Sequence, residues 1–125
     1  MRLVSGEKIL LVEDDDIIAR VEDWRLKNLG YTVCGRATNG AEAVDLATSK
    51  KPDIILMDIN IKGDVDGIET TKRIKAVYDV PVIYVTSHSD GATLDRAKET
   101  KPGGFIIKPF DDNDLRVAIE LALNK

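Results

Sequence analysis

Unbroken apolar runs mark the chain at four places. Lys8 to Val12 reads Lys-Ile-Leu-Leu-Val, and Asp53 to Asp58 reads Asp-Ile-Ile-Leu-Met-Asp. After Pro81 comes Val82-Ile-Tyr-Val-Thr86, and after Pro102-Gly-Gly104 comes Phe105-Ile-Ile-Lys108. Runs without alternation predict strands buried on both faces, as in the centre of a parallel sheet. Tyr31-Thr-Val-Cys-Gly-Arg-Ala37 alternates instead, which predicts an edge strand. Helical spacing fills the gaps. The first helix is expected from a cap at Asp15 or Asp16 to about Leu29, with Ile18, Val21, Leu26 and Leu29 as its inward stripe. Trp24 falls on its flank, partly exposed, and Gly30 takes the C′ position. A second helix follows the Asn39-Gly40 turn, from Ala41 to about Thr48, with Ala43, Val44 and Ala47 inward. A third is expected from about Ile68 to Tyr78, and a fourth from about Ala92 to Thr100 with Asp90 as cap. The fifth starts from Asp111 or Asp112 and runs to about Leu123, with Leu115, Ala118, Ile119 and Ala122 on one face.

Strands alternating with helices across short loops imply right-handed crossovers and a parallel sheet covered on both sides. The expected fold is α/β, a flavodoxin-like, doubly wound sheet of five parallel strands in the order 2-1-3-4-5, with five helices. That order places the alternating second strand on an edge. It sets the first and third strands side by side, at the switch point where such sheets bind ligands.

Composition narrows the function classes. At 125 residues the chain suits one domain, spanning 1–125, with a real core. A net charge of −4 argues against direct nucleic-acid binding. No apolar run reaches the length of a membrane span, and the first residues are too few and too polar for a signal peptide. The single cysteine, Cys34, rules out an internal disulfide and suits a cytoplasmic location, where it is expected to be inert core.

In the expected order, four strand ends converge. The first brings Glu13 and Asp14, the third Asp58, the fourth Thr86 and the fifth Lys108. Carboxylate pairs about 4 Å apart repel by about 4 kcal/mol at an effective dielectric near 20. Such a cluster is tolerable if a cation sits in it or a carboxylate is protonated. Hard oxygen donors favour Mg²⁺ or Mn²⁺. With Lys108, that cation would neutralise a transferring phosphoryl group, and Asp58 would be the nucleophile that receives it.

These residues resemble the receiver domain of two-component response regulators, nearly end to end. The resemblance rests on Leu11-Val-Glu-Asp14, Leu56-Met-Asp58, Asp66-Gly67, Val85-Thr86 and Lys108-Pro-Phe110, in order and each at a strand end or in the loop after it. It implies that Asp58 is the phosphoacceptor, taking its phosphoryl group from a sensor histidine kinase. Glu13, Asp14 and Asp58, with the Asn60 backbone carbonyl, would hold the metal. Thr86 and Lys108 would bind the phosphoryl oxygens, and Phe105 would be an aromatic switch following Thr86. The Lys108-Pro109 peptide would be cis. The face made by the fourth helix, fifth strand and fifth helix would meet an effector domain or protein, and a homodimer is left open. Asn60 and His88 would flank the phosphoryl group and tune its self-hydrolysis.

Two departures from the family pattern stand out. Ile61-Lys62 replaces a common Met-Pro, and the segment from Asp58 to Asp66 is one residue longer than usual, with Gly63 free to take an unusual backbone angle. Phe105 stands where many receivers have Tyr, so its inward preference must come from packing. Two rival readings are an aspartate-nucleophile phosphatase of the haloacid dehalogenase type and a phosphorylation-independent pseudo-receiver. The first expects an acid two residues after the nucleophile, where this chain has Asn60. The second expects one of Asp58, Lys108 or the acid pair to be missing.

Overall fold

The computed structural model describes residues 6–87 and 90–124. Five strands alternate with five helices: β1 Lys8–Val12, α1 Asp16–Asn28, β2 Thr32–Ala37, α2 Gly40–Lys50, β3 Ile54–Asp58, α3 Gly67–Lys75, β4 Val82–Thr86, α4 Gly91–Lys98, β5 Gly104–Ile107 and α5 Asp112–Leu123. All pairings are parallel, in the order β2-β1-β3-β4-β5. The architecture is the expected flavodoxin-like one. No helix among the described residues is long and apolar enough to cross a membrane.

Every residue of β3 and β4 is buried, while β2 is only partly covered, as the two hydropathy patterns predict. Alternate side chains of the central strands feed two cores. Leu10, Val12, Ile55, Met57 and Tyr84 meet the side of α2, α3 and α4. Ile9, Leu11, Leu56, Ile83 and Val85 meet α1 and α5 through Ala19, Leu26, Leu115 and Ile119.

Aspartates or asparagines begin all five helices. Asp15, Asn39, Asp66, Asp90 and Asp111 each accept a backbone N–H of the first turn, satisfying donors that have no partner inside the helix. Gly30 closes the α1 end at φ 97°. The third helix stops at Lys75, short of the expected Tyr78; Tyr78 instead donates its hydroxyl to the Pro52 carbonyl at 2.8 Å.

α1 corrects the expected stripe. Its buried residues are Ala19, Glu22 and Leu26, whereas Ile18 and Val21 lie outward at 36% and 46% exposure. Trp24, at 63%, is exposed outright. Leu26 is fully buried and Leu29 packs on the same core, as expected, so the error is confined to the first half of the stripe, where Ala19 and the carboxylate of Glu22 turn inward instead. Cys34 is half-buried against the α2 core, and burial pushes its thiol pKa up.

Candidate functional site

β1 and β3 are neighbours, so the loops that leave their carboxyl ends share one space. There Glu13, Asp14 and Asp58 bring carboxylate oxygens within 4.8 Å of one another. Each of the three has one oxygen fixed by a backbone N–H. Asp15 donates to Glu13 Oε2 at 3.1 Å, Lys62 to Asp14 Oδ2 at 3.0 Å and Asn60 to Asp58 Oδ1 at 3.0 Å. The backbone thus helps to aim all three acids.

Lys108 closes the opposite side. Its Nζ lies 3.3 Å from Glu13 Oε1 and 3.5 Å from Asp58 Oδ2, the oxygens left over from the backbone bonds. The Lys108 N–H donates to the Thr86 carbonyl at 2.8 Å, and the peptide to Pro109 is cis. Burial lowers the Lys108 pKa, but the attraction of Asp58 and Glu13 outweighs it and the net shift is upward, so the ammonium persists at neutral pH. Glu13 is 2% exposed, and burial raises its pKa against the pull of the Asp15 N–H and Lys108. One ammonium faces three carboxylates, and that imbalance suits a hard divalent cation on the free oxygens.

Thr86 is buried at 1% exposure at the end of β4, in register with Ile107. Phe105 is half-buried and tilts at 35° against the buried Tyr84 ring, 5.7 Å between centroids. Asn60 is exposed beside Asp58, and its N–H donates to Asp58 Oδ1. His88 lies outside the described residues.

The longer segment after Asp58 is held at both ends. Ile59 and Ile61 turn into the core, Asn39 and Lys62 form an isolated parallel bridge, and Gly63 takes φ 111°. At the far end Gly67 donates its N–H to the Ile59 carbonyl at 2.7 Å. A Cβ on Gly67 would stand 2.2 Å from the Asp58 carbonyl oxygen, so no other residue fits. Asp66 caps α3 and also takes both Nη groups of Arg96, at 2.9 and 3.3 Å.

Four further side chains shape the site without a local sequence signal. Glu22 of α1 is 4% exposed, and burial, aided by the Glu13 charge, pushes its pKa up to about 7. Arg25 donates to the Phe110 carbonyl at 2.7 Å, lies 5.3 Å over the Phe110 ring and pairs with Asp112 at 3.4 Å. Arg36 of β2 donates to the Glu13 carbonyl at 3.0 Å and to Asp16 at 2.6 Å. Arg96 links α4 to Asp66. The partners of these arginines lie too far away along the chain to be read from it.

Comparison with known proteins agrees with this geometry. The profile of the response regulator receiver domain matches residues 9–120. The chain is 34% identical over 118 residues to sporulation initiation phosphotransferase F of Bacillus subtilis, covering 94% of each. It is 33% identical over 118 residues to the transcriptional regulatory protein PdtaR of Mycobacterium tuberculosis, covering 94% of this chain but only 57% of that protein. So the chain spans little more than half of some curated relatives. Among solved structures, the signal receiver domain of a modulated diguanylate cyclase from Desulfovibrio desulfuricans superposes with a TM-score of 0.88 at 40% identity, covering 94% of this chain and 93% of that one. Strand order, acid cluster, lysine and family profile agree: this chain belongs to the receiver domains of two-component response regulators.

Proposed function

We propose that Asp58 accepts a phosphoryl group from a phosphohistidine on a sensor histidine kinase. A carboxylate oxygen of Asp58 attacks phosphorus, the P–O bond forms and the P–N bond breaks. The imidazole leaves with the electron pair and regains a proton from solvent. Glu13, Asp14 and Asp58, with the Asn60 carbonyl, fit Mg²⁺ or Mn²⁺ by donor type and clustering. When bound, such an ion supplies charge neutralisation at the phosphoryl oxygens. Lys108 does the same from the protein's own side, already 3.5 Å from Asp58 Oδ2.

Two responses follow phosphorylation in this reading. The Thr86 hydroxyl turns to the new oxyanion, and Phe105 follows it into the space beside Tyr84. That alters the face of α4, β5 and α5, where an effector domain or protein docks. Water then hydrolyses the acyl phosphate, with Asn60 and His88 controlling its approach, and Asp58 is regenerated. The domain acts as a cytoplasmic switch and turns over only its own phosphate.

The convergence of Glu13, Asp58 and Lys108 within 3.5 Å carries this reading. Its test is incubation with acetyl phosphate and MgCl₂, followed by intact mass. The expected result is a gain of one phosphoryl group, absent without Mg²⁺ and absent in Asp58→Asn. No gain in the wild type overturns the proposal, and turnover of added phosphoesters would instead mark a phosphatase.

A further inference from the structure

We infer that Arg36 is a positioning residue for the acid pair, reaching the metal site from a strand that brings no other side chain to it. The inference rests on the divalent-cation reading above. Arg36 lies in register with Leu11 on the α1 side of the sheet. From there its guanidinium crosses the end of β1. Nε donates to the Glu13 carbonyl at 3.0 Å, and Nη1 donates to Asp16 at 2.6 Å. The Glu13 carbonyl belongs to the peptide that joins the two acids, so this bond sets the plane from which both Glu13 and Asp14 project. On the other side of the same residue, the Glu13 N–H donates to the Ala37 carbonyl at 3.0 Å. Glu13 is thus gripped at its N–H and its carbonyl by consecutive residues of β2. Asp16 opens α1, so the second bond ties the helix start to the same fork.

The guanidinium is spent at some cost. Its Nη2 is buried with no hydrogen-bond partner, which a residue serving only a surface ion pair with Asp16 would avoid by staying in water. A planar fork is what holds a carbonyl and a carboxylate at once; an ammonium on a flexible stem cannot fix both in one plane.

Charge and geometry predict opposite outcomes, which makes the inference testable. A guanidinium near three acids repels a cation, so by charge alone its removal tightens Mg²⁺ binding. Positioning predicts the reverse, because groups that orient metal ligands contribute about tenfold or more to affinity. The experiment is calorimetric titration of MgCl₂ into the wild type, Arg36→Met, Arg36→Lys and Asp16→Asn, with thermal unfolding of each to establish that it is folded. Arg36→Met is expected to weaken Mg²⁺ binding about tenfold. Arg36→Lys keeps the charge and is the second variant should the first not fold; it is expected to weaken binding by several-fold. Asp16→Asn keeps the bond to Glu13 and is expected to stay within about twofold of the wild type. Unchanged or tighter binding in folded Arg36→Met, or in Arg36→Lys if only that one folds, overturns the role of Arg36 alone. A wild type that takes up no Mg²⁺ overturns this inference together with the reading it rests on.

Discussion

The site has two edges built on different principles. On the acid edge, each carboxylate is anchored through one oxygen to a backbone N–H at about 3 Å, and the peptide between Glu13 and Asp14 is held by Arg36. On the lysine edge, Lys108 meets its partners at 3.3 and 3.5 Å by charge, and Phe105 is held by packing on Tyr84. Backbone bonds fix direction; a long ammonium on a flexible stem finds its own. The contrast suits the proposed chemistry, in which the cation nest must stand ready before the phosphoryl group arrives while the far edge answers to it.

The largest expected effect separates the two edges. Lys108→Ala removes the only cation this chain places at the Asp58 oxygens among the described residues. Losing one preorganised donor to developing charge costs about 10²–10³ in rate. Phosphorylation by acetyl phosphate should slow by that factor, read as phosphoprotein formed per minute. Mg²⁺ affinity should hold or rise, since a competing positive charge is gone. A parallel loss of Mg²⁺ binding would show that the lysine edge also shapes the nest, and the contrast would fail.

Gly67→Ala attacks the acid edge from below. The new methyl would stand 2.2 Å from the Asp58 carbonyl oxygen and 2.9 Å from the Ile59 Cα, both backbone. Neither can rotate away, so α3 must shift or the end of β3 must bend. Forced overpacking of this kind destabilises by about 3 kcal/mol. Urea unfolding should show it as a lower midpoint, with Mg²⁺ affinity falling alongside because Asp58 moves. An unchanged midpoint would mean that the Asp58–Gly67 contact is looser than its geometry implies.

Much of this was legible in the chain. Unalternating runs located β1, β3 and β4, and the acids closing two of them located the site. Asp90 was legible as a cap, and Asp15 and Asp111 each as one of two candidates, because capping is a local exchange between a side chain and the next turn. The orientation of α1 was legible only in part: Leu26 and Leu29 pack inward as expected, but the first half of the stripe does not. Ile17, Val21 and Trp24 recur at helical spacing, yet they face outward at 75%, 46% and 63% exposure. Glu22 faces inward near the strand ends, where burial and the Glu13 charge raise its pKa towards the neutral form, which hydropathy does not see. Arg36 and Arg25 were missed for a related reason. Their partners lie 23 and 85 residues away, and only the sheet order brings them together.

Glu22 itself offers a pH test of the join between the edges. Burial raises its pKa from the ordinary 4.5 to about 7. A carboxyl raised on folding is held protonated by the native state. Its stabilisation is full below pH 4.5 and is lost as pH rises through about 7. Glu22→Gln removes the ionisation and keeps the shape. The variant should lie within about 1 kcal/mol of the wild type near pH 5 and exceed it by about 3 kcal/mol at pH 8, as urea unfolding at the two values would show. A gap that stays constant with pH would mean that Glu22 ionises in the folded protein as readily as in water.

The smallest effect tests whether the lysine edge has any brace of its own. Arg25 is the candidate, since it reaches from α1 to the segment just past Lys108. It donates to the Phe110 carbonyl, covers the Phe110 ring and pairs with Asp112. The Asp112 pair is half in solvent and adds little. The bond to the carbonyl and the ring contact together contribute about 1–2 kcal/mol. Arg25→Ala should therefore lower stability by about that amount and slow phosphorylation a few-fold, because the turn carrying Lys108 loosens. Mg²⁺ affinity should not follow, as this brace bonds to Phe110 and Asp112 and not to Glu13, Asp14 or Asp58. That pattern, set beside Arg36→Met, would give each edge its own arginine: one acting on the cation before phosphoryl transfer, the other on the lysine during it. Should Arg25→Ala leave phosphorylation untouched while stability drops, Lys108 is placed by its charge partners alone.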